Sequence, residues 1–216
     1  MPTEGDLDET VRRVDTGRWL ASRFIIDVVA RSDVVAILAF DHELSRAGVV
    51  ASNSLIAEIR LTWWREALDE IFDGRPVRRH PVTEALDGVV KRRGLDQCSL
   101  ESLIDARIAI LDLPSLDPAA ARRWADGAPG CVATLAARIL DPGATWEAAR
   151  PAGRAWGLRA LGHSFGEALD EASRAARALG PTAFPAVAYA TLLRSRSSSP
   201  LEARLRLVWA VARGRL

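Results

Sequence analysis

Apolar residues recur along this chain three and four positions apart, the spacing of one face of an α-helix, in segment after segment. The segments run near 16–29, 32–47, 53–73, 81–93, 99–113, 118–126, 129–140, 145–178, 182–195 and 200–213, with Pro, Gly, Ser or Asp between them. Alternating Val/Ile/Thr/Tyr stretches closed by Asn-Gly or Asp-Gly, the mark of hairpins, are nearly absent. Ser32, Asn53, Ser99 and Asp117 stand where a side-chain oxygen would accept from a free first-turn amide. Pro81, Pro118 and Pro200 suit first-turn positions, and Gly74 and Gly94 suit helix ends. The pattern predicts an all-α protein with one domain over residues 1–216. Its core would span about 16–195, with 1–15 flexible and the Ser-rich stretch 195–200 as a surface connection.

Three charges break the helical pattern. Asp41 sits in the middle of an arc made by Val34, Val35, Ile37, Leu38, Phe40 and Leu44. Arg60 falls within the arc of Ile56, Ile59, Trp63, Trp64, Ala67, Leu68 and Ile71, and Arg107 lies among Leu100, Leu103, Ile104, Ile108 and Leu111. An unpaired ion in a core costs several kcal/mol, so these charges must pair or line a wet cavity. Asp41 with Arg60 or Arg107 is the natural pairing. One reading is a structural ion-pair network; the other is a central polar cavity in which arginine forks hold a phosphate or carboxylate.

Composition adds bounds and no chemistry. The 216 residues are 49% hydrophobic, and 29 Lys+Arg against 28 Asp+Glu give a net charge of +1, unlike a disordered polyelectrolyte or a nucleic-acid binder. No apolar run approaches the ~20 residues of a membrane-spanning helix. The start, MPTEGDLDET, lacks the pattern of a secretory signal. Cys98 and Cys131 make neither a disulfide framework nor a zinc site; both read as buried small hydrophobes in a reducing cytoplasm.

Other candidates read as structural. His42 and Glu43 follow Asp41 off the apolar centre, His163 shares a polar face with Arg159, Glu167 and Asp170, and His80 precedes Pro81 as a turn or cap residue. Trp63 and Trp64 read as core and rim packing. No GxGxxG, P-loop, GxSxG or HExxH occurs. Arg78-Arg79, Lys91-Arg92-Arg93 and Arg122-Arg123 read as exposed helix faces or ends that an anionic lipid surface would also attract.

Several segments, in order, resemble the squalene/phytoene synthase family: Arg18-Trp-Leu-Ala-Ser-Arg-Phe24, Val34-Val-Ala-Ile-Leu-Ala-Phe40, Trp63-Trp-Arg-Glu-Ala-Leu-Asp-Glu70, His80-Pro-Val82, and Leu103-Ile-Asp-Ala-Arg107 through Asp112-Leu113. Gly130 to Leu140 and Pro151 to Leu161 resemble its later helices. The resemblance implies the isoprenoid-synthase fold, helices around a deep central cavity. Active members condense two prenyl diphosphates, with Mg²⁺ held by two aspartate-rich motifs on facing helices. At the first motif this chain has Ser45, Arg46 and Val49, with Asp41 and Glu43 upstream of that register. At the second it runs His163-Ser-Phe-Gly-Glu-Ala-Leu-Asp170 directly into Glu171, as though a stretch were missing from a shortened C-terminal half. Phe40-Asp-His-Glu-Leu44 and Glu58-Ile-Arg-Leu-Thr-Trp-Trp-Arg65 look more like a degenerate, non-catalytic branch that includes respiratory complex I assembly factors.

The resemblance thus implies a pseudoenzyme that binds a protein partner or an isoprenoid- or lipid-like ligand. It would be cytoplasmic, with peripheral contact to the inner face of a membrane, and would need no cofactor. The alternative is an active Mg²⁺-dependent prenyltransferase using Asp41, Glu43, Glu58 and other acids in an unusual register. Asp41, Arg60, Arg107, Glu43 and Ser45 are the cavity-lining candidates, and Asp41 and Glu43 the metal candidates under the alternative.

Overall fold

The computed structural model describes residues 4–49, 54–113, 115–194 and 199–216. Asn53, expected as a cap, lies outside them, as does most of the expected surface connection at 195–200. No strand occurs among the described residues, and the fold is all-α as the periodicity predicts.

Helix α3 (Val28–Val49) is the axis of the molecule. Its seven residues Val34 to Phe40 are all buried, so no face of this stretch meets water. They are enclosed by α1 (Glu4–Val14), α4 (Ser54–Phe72), α5 (Pro81–Arg93), α6 (Gln97–Ile108) and α8 (Cys131–Leu140). Residues 4–14 of the stretch expected to be flexible form α1. Val11 is fully buried, and Asp8 of α1 accepts from Trp19 Nε1 at 3.1 Å and Arg23 Nη2 at 2.5 Å.

Several boundaries differ from the periodicity for identifiable reasons. The expected helix 16–29 ends early: α2 spans Thr16–Ser22, and the chain turns before α3. Ser32 therefore lies inside α3, while Asp27 Oδ1 accepts from the Val29 amide at 2.9 Å. Ser99 is likewise inside α6, which Asp96 caps by accepting from the Ser99 amide at 2.8 Å. Asp117 caps α7 (Pro118–Ala125) as its position implies, with Pro118 in the first turn. Gly74 and Gly94 take the left-handed conformation at φ 67° and 58°.

One π-turn, Asp126–Gly130, joins α7 to α8 where a break was expected. Helix α9 (Arg150–Ala160) lies directly on this turn through glycine: a Cβ on Gly153 would stand 2.0 Å from the Pro129 carbonyl oxygen. The expected long helix 145–178 is divided. Gly162 at φ 74° and the His163 amide bonding Leu158 O at 2.9 Å close α9 in a Schellman turn. Helix α10 (Gly166–Ala175) follows. Residues 184–194 pack as short 3₁₀ turns, with Phe184 and Tyr189 buried, and α11 (Pro200–Arg213) lies against them and α2.

Candidate functional site

Two carboxylates interrupt the apolar axis, Asp33 and Asp41, and both are buried. Asp33 accepts from Arg92 Nη2 at 2.6 Å and Arg93 Nε at 2.7 Å. Lys91 and Arg92 are exposed at the end of α5, as the sequence suggested, but the Arg92 and Arg93 guanidinium groups are both committed to this buried carboxylate. Arg78 is similarly committed: it bonds Glu70 and the Trp63 carbonyl and covers the Trp63 ring at 4.6 Å.

Asp41 accepts from Arg107 Nη2 at 2.5 Å through Oδ1 and from Arg18 Nη2 at 2.9 Å through Oδ2. Arg18 reaches it because Asp15 caps α2, accepting from the Arg18 amide at 3.0 Å and from Arg18 Nε at 2.5 Å. Burial alone would raise the Asp41 carboxyl; Arg107 and then Arg18 outweigh it and hold it below the usual carboxylate range. Burial likewise opposes the Arg18 charge, but Asp15 and Asp41 outweigh it and fix that guanidinium as a cation. Burial pushes the Tyr189 phenol upward, so it stays neutral near Arg18.

Asp15, Arg18, Asp41 and Arg107 border a cleft of about 490 Å³ between α2, α3, α6, α7 and α9. Asp41, Ser45 and Arg107 line it, joined by Arg18, Trp124 and Arg159. Three donors on residues that line it are buried and have no partner within the protein: Arg18 Nη1, Arg107 Nε and Trp124 Nε1. The Arg107 guanidinium also lies 5.0 Å from the centre of the Trp124 ring. Such a donor set, with a neutral indole beside fixed cations, suits an anion.

It does not suit a divalent metal. Both Asp41 oxygens and both Asp15 oxygens already accept from guanidinium or amide groups. Ser45, at the family's first motif, donates to the Asp41 carbonyl of its own helix at 2.9 Å. Among the described residues no three His, Cys, Asp or Glu side chains converge as metal ligands would. The acids near the second motif do not line the cleft either: Glu167 and Asp170 are exposed, and Glu171 accepts from Arg154 Nη1 at 2.6 Å. Arg154, buried on α9, also bonds Asp126 of the π-turn at 2.5 Å.

Two expected cavity residues lie elsewhere. Arg60 is exposed, because among the described side chains in the first two turns of α4 only Ala57 is buried. The buried stripe of α4 is Ala57, Leu61, Trp64, Ala67, Leu68 and Ile71, and Ile59 also stays in water. Glu43 pairs with Arg46 at 3.0 Å and, with Arg60, Trp63 and His80, borders a separate shallow groove. Cys98 is exposed, a further departure from expectation, whereas Cys131 is buried. Sequence reasoning did not single out Arg18, Asp15 or Trp124. The signal available was Asp15-x-x-Arg18, a cap whose acid returns to a basic residue one turn on.

A family model for squalene/phytoene synthase matches residues 11–184, most of the chain. The chain belongs to the squalene/phytoene synthase family. Within it, the chain is similar to proteins named NADH dehydrogenase (ubiquinone) complex I, assembly factor 6. The homolog of that factor from Dictyostelium discoideum is 27% identical over 99 residues, 46% of this chain and 28% of that protein. The Bos taurus and Homo sapiens proteins are each 30% identical over 104 residues, 48% of this chain and 31% of theirs. The matched segments therefore span less than a third of these relatives' length. They agree with the degenerate branch to which Phe40–Leu44 and Glu58–Arg65 pointed.

Proposed function

We propose that this protein is a non-catalytic member of its family that binds protein partners during assembly of a respiratory NADH dehydrogenase, working in the cytoplasm at the inner face of a membrane. The carrying observation is the state of Asp41. At the heart of the cleft, where a metal-dependent transferase needs carboxylates free for Mg²⁺, each Asp41 oxygen already accepts from an arginine, Arg18 on one and Arg107 on the other. Carboxylates already paired with arginine, as Asp41 and Asp15 are, compete poorly for a hydrated Mg²⁺. The assembly-factor relatives support the partner, although they match over part of their length. No helix among the described residues is long and apolar enough to cross a membrane, which is compatible with peripheral placement.

The test has two arms. Purified protein incubated with farnesyl or geranylgeranyl diphosphate and Mg²⁺ should release no pyrophosphate; steady release would overturn the reading in favour of the transferase. Deleting the gene in its own organism should lower the assembled NADH dehydrogenase on native gels, with isoprenoid products unchanged.

The three unpartnered donors favour a second, compatible reading: the cleft holds an isoprenoid- or lipid-like ligand by an anionic head, without metal. Calorimetric titration with farnesyl diphosphate in the presence of EDTA should show binding that Arg107→Gln weakens by at least tenfold. Undiminished affinity in that variant would remove the cleft from the account.

A further inference from the structure

Helix α11 carries its apolar side chains on the wrong side. Only Leu207 and Ala210 are buried on this 14-residue helix. Leu201, Leu205, Val208 and Trp209 are 49% to 66% exposed. At about 100° per residue, these four and Ala212 fall within a single arc of roughly 100°, centred opposite Leu207 and Ala210. Arginines border the arc on both sides, Arg204 on one and Arg206 and Arg213 on the other, with Arg215 just beyond the helix. The one acid on the helix, Glu202, already accepts from Arg206 at 2.9 Å. Beside Leu205 and Trp209 runs an open groove of about 780 Å³, also bordered by Arg194, Arg213 and Arg215.

We propose that α11 docks this protein onto an anionic lipid surface, lying in the interfacial plane with Leu201, Leu205, Val208 and Trp209 in the acyl boundary. An outward apolar arc with basic shoulders is the arrangement such helices use: the side chains bury area while arginines reach up to phosphates. Arg213 lies 4.1 Å from the centre of the Trp209 ring, joining the cation to the aromatic that would sit at headgroup level. Charge decides against a second copy as the occupant, because two such helices face to face would bring rows of arginine together with one paired acid each. The inference gives the peripheral location proposed above a structural element, and its readout is independent of dehydrogenase assembly.

The test is co-sedimentation of the full chain with vesicles of phosphatidylcholine, alone or with about one-third phosphatidylglycerol. Binding should occur on the anionic vesicles, fall at least tenfold on the neutral ones, and weaken in about 0.5 M salt. Because the side chains are exposed, Leu205→Glu with Trp209→Glu should leave the circular-dichroism melt unchanged and lower partition at least tenfold; Arg204→Glu with Arg213→Glu should do the same. Trp209→Phe should bind but lose most of the lipid-induced blue shift in fluorescence. Equal partition onto neutral and anionic vesicles would overturn the proposal, as would unimpaired binding of the double variants or an undiminished blue shift in Trp209→Phe. A lipid-free dimer that Leu205→Glu dissociates would instead make the face a homodimer contact. Failure here leaves the assembly reading to its own deletion test.

Discussion

Asp33 and Asp41 stand eight residues apart on α3, at either end of its fully buried stretch, and each is held by two arginines from other helices. Arg92 and Arg93 come from α5, Arg18 from α2 and Arg107 from α6, so the two clamps tie the axis to three surrounding helices. An ion pair of this kind adds little net stability over a well-packed apolar core, but breaking one side of it is costly.

Asp41→Ala should accordingly destabilise the fold by about 3–5 kcal/mol, since it leaves Arg107, with a side chain 12% exposed, facing the cleft without a counter-charge, and Arg18 with Asp15 alone. The combination Asp41→Leu and Arg107→Met, which keeps Arg18 on Asp15, should lie much closer to the parent, or above it. Urea unfolding of both variants checks the contrast. A loss under about 1 kcal/mol for Asp41→Ala would mean that both guanidinium groups already find water.

How much of this could be read in the sequence depends on what each residue packs against. The axis of α3 was legible because Val34 to Phe40 and Leu44 are apolar and Asp41 stands out among them. Arg107 was legible for the same reason on α6. Arg60 was misplaced because periodicity gives a face but not its depth: the first turns of α4 contribute little to the core, and Arg60 meets water there. Asp33 follows Ser32, where the periodicity starts a helix; the earlier start of α3 at Val28 carries it into the interior. Arg18 sits on a seven-residue helix too short to show a period. The outward face of α11 escaped notice because apolar residues at helical spacing are assigned to a core by default, and only the position of Leu207 and Ala210 shows which face is inside.

Among the described glycines, Gly153 leaves the least room for a side chain, where α9 meets the π-turn. Gly153→Ala would drive its Cβ against backbone, 2.0 Å from Pro129 O and 2.7 Å from Gly130 Cα, so no rotamer change relieves it. A loss of about 1–3 kcal/mol or more is expected. Gly166→Ala, at the start of α10 with open space around its Cβ, should be neutral or stabilising by up to about 1 kcal/mol. Thermal melts of the two variants give opposite signs if the π-turn is packed as described.

The two thiols should separate cleanly. Burial pushes the Cys131 thiol up, and its Sγ donates to Ser99 O at 3.3 Å, whereas Cys98 is exposed. Native labelling with a maleimide should therefore consume one thiol rapidly, and peptide mapping should place it at Cys98. Cys131 should react only on unfolding. Equal rates for both would contradict the packing of α6 against α8.

His80 gives the fold a pH dependence. It caps α5 by accepting the Val82 amide at Nδ1, 3.2 Å away, which requires that nitrogen to be unprotonated. Its ring also meets Trp64 edge-on at 5.1 Å between centres, and burial holds its pKa below the ordinary value of 6.5. His42 is shifted the same way, again by burial. The unfolded chain therefore binds protons that the folded one does not in the window from about 6.5 down to the folded values, and stability rises with pH across it. Urea midpoints should fall between about pH 7.5 and 5.5. His80→Asn keeps a side-chain acceptor of the best capping class but cannot titrate, so its midpoint should fall less over the same interval, leaving the share due to His42. An identical pH profile in parent and variant would show that the His80 cap survives protonation, with the ring turning to present another contact.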